Sequence, residues 1–278
     1  MSAAEFSLWI FLSSILAGLL GALTGLGGGV VIVPVLTLLF HIDIHYAIGA
    51  SLVSVIATSS GAAAAYVREG YSNIRIGMFL EIATTLGALL GAWLTAHVST
   101  HSIGIVFGIV LLYSAYSSFR TKHPEHGHTH PDALATRLRL KGNFPTGSGS
   151  EDYVAQRVPA GFGLMFTAGT LSGLLGIGSG AVKVLAMDQA MRLPFKVSTT
   201  TSNFMIGVTA AASAGIYLSR GYISPALAMP VMLGVLVGSL AGSRILVHAE
   251  VKTLRLLFAV VIVALGIEMI FNSVTGRL

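Results

Sequence analysis

The 278-residue chain contains no cysteine, so disulfides, thiolate metal sites and cysteine nucleophiles are excluded. Charge is scarce as well: Asp, Glu, Lys and Arg make up 10% of the sequence against 54% hydrophobic residues, and the mean hydropathy is +0.82. So little polar material cannot cover a soluble globule of this size, and an integral membrane protein is expected. No Lys or Arg precedes the first apolar run of "MSAAEFSLWIFLSSILAGLLGAL", so this run is expected to be a membrane segment rather than a secretory signal. Glycine, by contrast, is abundant. Its 33 residues follow no three-residue period, which excludes collagen and suits close approach of transmembrane helices. A net charge of +5 would suit nucleic acid in a soluble protein; here it directs attention to which side of the membrane holds the basic residues, and no nucleic-acid partner is expected.

The chain is duplicated. Shifted by 151 residues without a gap, "GLGGG" at Gly25 to Gly29 falls on "GIGSG" at Gly176 to Gly180. The same shift pairs Ser51 with Ser202, Thr58 with Thr209, Tyr66 with Tyr217, Gly70-Tyr71 with Gly221-Tyr222, and His97 with His248. Gly and Ala matches come easily in this composition, but one offset that also catches Gly-Tyr and two histidines does not.

Each half holds five apolar segments: residues 6–24, 29–40, 47–67, 75–97 and 101–119, then 159–175, 180–191, 198–218, 225–247 and 252–272. The second of each five is too short for the roughly 20 residues a span needs, and it follows the Gly-rich turn. A broken or re-entrant first hairpin is therefore expected in each half. With an odd number of crossings per half, one side collects Arg68, Arg75, Arg120, Lys122, Arg137, Arg139, Lys141, Arg157, Arg192, Lys196, Lys252 and Arg255. The other side collects only Arg220 and Arg277, whereas an even number of crossings gives ten against four. The sharper split puts the central loop in the cytoplasm and both termini outside. Two halves with odd crossings are inverted relative to each other, and inverted repeats with broken helices mark secondary transporters. The expected fold is thus all-α integral membrane, about ten helical segments in two inverted five-segment repeats, multi-pass in the cell membrane. Residues 1–119 form the first repeat, 120–158 a cytoplasmic His-rich flexible loop with a disordered tether "LKGNFPTGSGSEDY", and 159–278 the second repeat.

No strand precedes the Gly-rich turns and no Lys-Ser/Thr pair follows as in a P-loop, so nucleotide binding is not indicated. Inside a membrane such turns either let helices pack tightly or free backbone N–H groups to face an anion. The expected substrate-binding residues are Gly27, Gly28, Gly29 and Ser51 in the first half, and Gly178, Ser179, Gly180, Lys183, Thr201, Ser202 and Asn203 in the second. Lys183 has Ile32 as its counterpart, and burying it at mid-membrane costs about 2.5–3.5 kcal/mol on insertion scales. An anionic substrate, an ion pair or snorkelling could offset that. Asp188 is a poor partner, since five residues place it about 140° round a helix. The run Ser198 to Asn203 exceeds what one helix cap needs, so its surplus can line a polar path or bond between helices. Glu81, inside its segment near Arg75, is either a proton-coupling acid or a structural pair.

"KHPEHGHTHPD" carries His123, His126, His128 and His130 without a defined ligand geometry, which suits a solvated linker and leaves a divalent-metal permease as the alternative. An intramembrane hydrolase would need Ser51 or Ser202 beside a histidine, yet His97 and His248 fall at segment ends. No metal and no cofactor is expected, and the chain is not expected to be an enzyme. The partners expected are a small anion and bilayer lipid, and a homo-oligomer is compatible with the sequence.

Two pairs of segments carry a family resemblance: "GLLGALTGLGGGVVIVPVL" with "AIGASLVSV", and "GLLGIGSGAVKV" with "KVSTTTSNFMIGVTAAASAG". In these the chain resembles the sulfite exporter TauE/SafE family of membrane permeases over nearly all its length outside the His-rich loop. Pro34 fits the family's proline after the Gly-rich half-helix, whereas Leu185 departs from it, as do Ser179 and Lys183 from the plain Gly pattern. The resemblance implies gradient-driven movement of sulfur-containing anions such as sulfite or organosulfonates.

Overall fold

A computed structural model of the chain describes residues 2–24, 28–68, 72–120, 132–146, 149–246 and 251–276. The first half comprises α1 (Ala3–Thr24), α2 (Gly29–Pro34), α3 (Ile44–Arg68), α4 (Ile74–Leu94) and α5 (Thr100–Arg120). After a central region with α6 (Ala133–Arg137), β1 (Lys141–Thr146) and β2 (Gly149–Val154), the second half repeats the plan. It comprises α7 (Val158–Leu175), α8 (Gly180–Leu185), α9 (Phe195–Ser219), α10 (Pro225–Leu246) and α11 (Val251–Val274). Local chemistry sets several boundaries. Asn73 caps α4 by accepting from the Ile76 N–H at 3.0 Å, and α7 stops at Gly176, left-handed at φ +67°, whose N–H reaches the Ser172 carbonyl at 2.8 Å.

Several element starts follow the 151-residue offset. The starts of α2, α3, α4 and α5 each recur 151 positions later as the starts of α8, α9, α10 and α11. Both short helices widen into a π-helical turn, Val35–Leu39 and Ala186–Ala190. Each then closes the same way, with left-handed His41 and Arg192 at φ 53° and 52°, and with Ile42 N–H on Leu36 O at 3.1 Å and Leu193 N–H on Met187 O at 3.0 Å. Pro34 precedes the first π turn and Leu185 the second, so proline is not what widens the helix.

Packing between the halves is reciprocal. Helix α1 lies on α10, and α4 lies on α7. A Cβ at Gly18 would strike the Val235 carbonyl and one at Gly169 the Thr84 carbonyl, while Gly87 and Gly238 do the same against Phe166 and Ile15. Each of these contacts is the other's repeat counterpart, and bare glycine is what brings the backbones together. Helices α3 and α9, and α5 and α11, pair with their own counterparts and run antiparallel. His45 at the start of α3 stacks on Tyr222 beyond the end of α9 with ring centroids 4.9 Å apart, and Gly276 beyond α11 faces His101 at the start of α5.

Large apolar side chains face outward and several polar ones are buried. Leu8, Trp9, Leu12 and Leu16 of α1, Ile82, Leu86 and Trp93 of α4, and Ile267 and Phe271 of α11 are exposed. Ser14, Ser51, Ser54, Glu81, Thr84, Lys183, Thr209 and Ser213 are buried. An apolar exterior, with the polar side chains held inside among the buried apolar ones, is the arrangement a lipid solvent demands. Among the described residues, α4 and α7 are each long and apolar enough to cross a membrane.

The central region departs from expectation. Instead of a disordered tether, β1 and β2 form an antiparallel hairpin beside an otherwise helical chain. Asp132 caps α6 through the Leu134 N–H and also accepts from the Val158 N–H at 2.9 Å, tying the region to α7. Leu140, Tyr153, Ala155 and Val158 join a buried cluster with Ile76, Leu80, Met187, Met191 and Val197. The side chain of Asn73 donates to the Tyr153 hydroxyl at 2.9 Å and to the Lys141 carbonyl at 3.3 Å. Burial pushes the Tyr153 phenol above its usual range, and the bond from Asn73 works against that shift. His123, His126, His128 and His130 lie outside the described residues.

Candidate functional site

The two Gly-rich turns meet at the junction of the halves. Gly27 lies outside the described residues, but Gly29 is packed so closely that a Cβ there would come within 2.7 Å of Ser51 Oγ and 3.0 Å of the Gly176 carbonyl. Ser51, fully buried on α3, donates to that carbonyl at 2.8 Å. A Cβ at Gly28 would meet Val235 on α10. Gly178, left-handed at φ +70°, lies against Ile206 and Val55, two residues that the 151-residue offset pairs with each other. Ser179 is left-handed at φ 46°, and its buried hydroxyl makes no hydrogen bond. Gly180 opens α8, and its carbonyl accepts from Ser202 Oγ at 3.4 Å.

Two other expected residues lie apart from this junction. Thr201 accepts from the Asn73 N–H at 3.1 Å and so anchors the entry to α4, while Asn203 is half-buried on α9.

Helices α4 and α9 run in parallel with a constant register. Asn73 meets Thr201, Glu81 meets Thr209, and Arg220 Nη1 donates to the Ala92 carbonyl at 2.7 Å, each pair separated by 128 residues. Gly77 keeps the helices close, since a Cβ there would touch Thr201 and approach Phe204 and Met205. This register delivers Glu81 to the middle of the bundle.

There Lys183 is fully buried, and its Nζ donates to Thr209 Oγ1 at 2.6 Å. The same hydroxyl lies 2.7 Å from Glu81 Oε1, which also accepts from Thr85 Oγ1 at 3.2 Å. Thr209 accepts from the ammonium and has one proton for two acceptors, the Glu81 carboxylate at 2.7 Å and the Met205 carbonyl at 2.9 Å; turned to the carboxylate, it bridges two charges that make no direct ion pair. Glu81 Oε2 is buried without a hydrogen bond. Arg75 is exposed, and so is not the neighbour of Glu81 that sequence proximity suggested. Thr209 was not among the expected site residues, although its pairing with Thr58 marked it as part of the repeated scaffold.

Among the described residues no group of three or more His, Cys, Asp or Glu could hold a metal. Ser51 and Ser202 both donate to backbone carbonyls.

The family model described as "Sulfite exporter TauE/SafE" matches residues 10–269. The chain is 27% identical over 268 residues to the probable membrane transporter protein YunE of Bacillus subtilis, covering 94% of this chain and 96% of that one. It is 28% identical over 236 residues to the probable membrane transporter protein YdhB of the same organism, covering 84% and 86%. A probable membrane transporter protein of Xylella fastidiosa is 24% identical over 263 residues, covering 92% and 93%. No solved structure matches.

Proposed function

Since the chain belongs to the sulfite exporter TauE/SafE family and is a membrane transporter, we propose that it is a secondary permease for small sulfur-containing anions such as sulfite or organosulfonates. The observation that carries this is Lys183: a fully buried ammonium amid an apolar-faced helical bundle, beside a Gly-rich turn whose Ser179 hydroxyl is unpartnered. A sulfonate or sulfite offers three oxygens to several donors while one cation balances its charge. Gly28, Gly29, Gly178 and Gly180 would supply backbone close to the anion and Ser179 its unpartnered hydroxyl, while Ser51 and Ser202, whose protons go to the Gly176 and Gly180 carbonyls, would hold the turns around it, with Thr201 and Asn203 further along α9.

The antiparallel course of α3 against α9 and of α5 against α11 supports inverted repeats, each with a broken first hairpin. The basic residues then favour a cytoplasmic central region, both termini outside, and several crossings of the cell membrane. Rocking of one half on the other would give alternating access. The chain does not act as an enzyme in this proposal, and it needs no cofactor.

Proteoliposome uptake of labelled sulfite, sulfoacetate, taurine, methanesulfonate and thiosulfate tests it. At least one anion should move in the natural protein and none in Lys183→Ala. Movement of a divalent cation in place of every anion, abolished by deleting residues 123–130, would instead establish the metal permease. A reporter that puts both termini in the cytoplasm would overturn the inverted arrangement.

A further inference from the structure

Lys183, Thr209 and Glu81 form a chain of charge, hydroxyl and charge that crosses between the halves, with Glu81 from the first and the other two from the second. The duplication supplies an internal control. At the counterpart positions stand Ile32, Thr58 and Met232, so the threonine is repeated and both charges are absent. Ile32 is fully buried, and α2 and α8 nevertheless have the same length and the same π turn after them. The short helix and its π turn therefore form with isoleucine at this position as well as with lysine. A buried ion pair is weak evidence for stability, since apolar replacements of both partners are often neutral. Neither charge is repeated, which points to use rather than support.

The surroundings narrow what can titrate. Helix α4 packs on α7, which carries no titratable side chain, and on α9, whose Lys196 and Tyr217 lie toward its two ends. Arg75 is exposed at the start of α4, and Arg220 bonds to its far end at Ala92. Asp188 is buried on the π turn beyond α8. Lys183 is the charge linked to Glu81, through Thr209, while Glu81 Oε2 has no hydrogen bond and is free to take a proton.

We propose that an anion entering the site competes with Glu81 for Lys183, so that each anion is carried together with one proton on Glu81. This rests on the anion-permease proposal above. When the anion takes over the ammonium, Glu81 is left as an uncompensated carboxylate inside the bundle. Binding a proton from the solution at Oε2 neutralises it, and release of the anion lets that proton leave as the ammonium returns to Thr209 and Glu81. The site is neutral in both states: ammonium with carboxylate when empty, ammonium with anion and carboxylic acid when loaded. Anion and proton therefore raise each other's affinity, as linkage requires. Thr209 is the positioning residue, because its hydroxyl transmits the competition.

The test uses the full chain in proteoliposomes with labelled methanesulfonate, sulfoacetate and sulfite. Methanesulfonate remains a monoanion across neutral pH, so its pH dependence reports on the protein. With one proton per anion, each imposed pH unit, acid outside, should drive about tenfold accumulation. Glu81→Gln, fixed in the neutral form, should keep anion–anion exchange and lose the pH-driven accumulation. Thr209→Val should weaken the coupling and move the pH profile of exchange, and Thr209→Ser should restore both. Accumulation by Glu81→Gln equal to the natural protein overturns the proton coupling alone. Failure of all three anions to move in the natural protein overturns the permease proposal and this one with it.

Discussion

Ser51 Oγ donates a 2.8 Å hydrogen bond to the Gly176 carbonyl, joining α3 of the first half to the cap of α7 in the second. That carbonyl ends a helix inside an apolar-faced bundle, where few other donors can reach it. Ser51→Ala should therefore destabilise the protein by about 1–3 kcal/mol. Thermal unfolding in detergent should show a lower midpoint with no loss of expression. An unchanged midpoint would mean that the carbonyl finds another donor.

Glycine packing gives a sharper contrast on a single helix. Gly169 and Gly163 both belong to α7, but a Cβ at Gly169 would lie on the Thr84 carbonyl, whereas one at Gly163 meets nothing within 4 Å. Gly169→Leu should prevent α4 and α7 from closing, visible as loss of the monodisperse peak in size-exclusion chromatography. Gly163→Ala should be tolerated or should stabilise by about 0.5–1 kcal/mol, since alanine loses less backbone entropy in a helix. Equal tolerance at both positions would show that the close backbone approach is not needed.

Much of this architecture was legible in the sequence because it is written twice. The shift that aligned Gly25 to Gly29 with Gly176 to Gly180 also foretold the element boundaries, since local sequence sets both the breaks and the caps. The chain of Lys183, Thr209 and Glu81 was only half legible. Lys183 and Glu81 stood out as charges in apolar runs, but what joins them is the register between α4 and α9, a tertiary relation 128 residues apart with no local signature. Thr209 looked like one more small polar residue in a helix rich in them. The hairpin was missed for a different reason. Its strands are short and interrupted by Gly and Pro, and they are ordered by burying Leu140 and Tyr153 against α4 and α9 rather than by their own propensity.

Asn73 should be the weak point of that hairpin. One side chain caps α4, holds the Tyr153 hydroxyl and reaches the Lys141 carbonyl, while its backbone N–H goes to Thr201. Asn73→Ala removes three of these four bonds and leaves the Tyr153 hydroxyl without its donor. Hydrogen exchange of the backbone amides in residues 141–154 should accelerate several-fold, with α5 and α11 unaffected. Unaltered exchange would indicate that burial of Leu140 and Tyr153 alone holds the hairpin.

The repeat also predicts how the two buried charges bear on stability. Lys183→Ile or Glu81→Met alone leaves an uncompensated group in the bundle, a change that costs about 3–5 kcal/mol when a buried pair is broken. Made together, the two substitutions install the very residues that stand at the counterpart positions, Ile32 and Met232. The double variant should then unfold at a higher temperature than either single variant and close to the natural protein, because no charge is left to compensate. It should carry no anion. Thermal midpoints of the four proteins in one detergent at one pH, set beside uptake by the double variant, separate the two effects. If the midpoint of the double variant drops by the sum of the two single changes, Lys183 and Glu81 are energetically independent and Thr209 does not couple them.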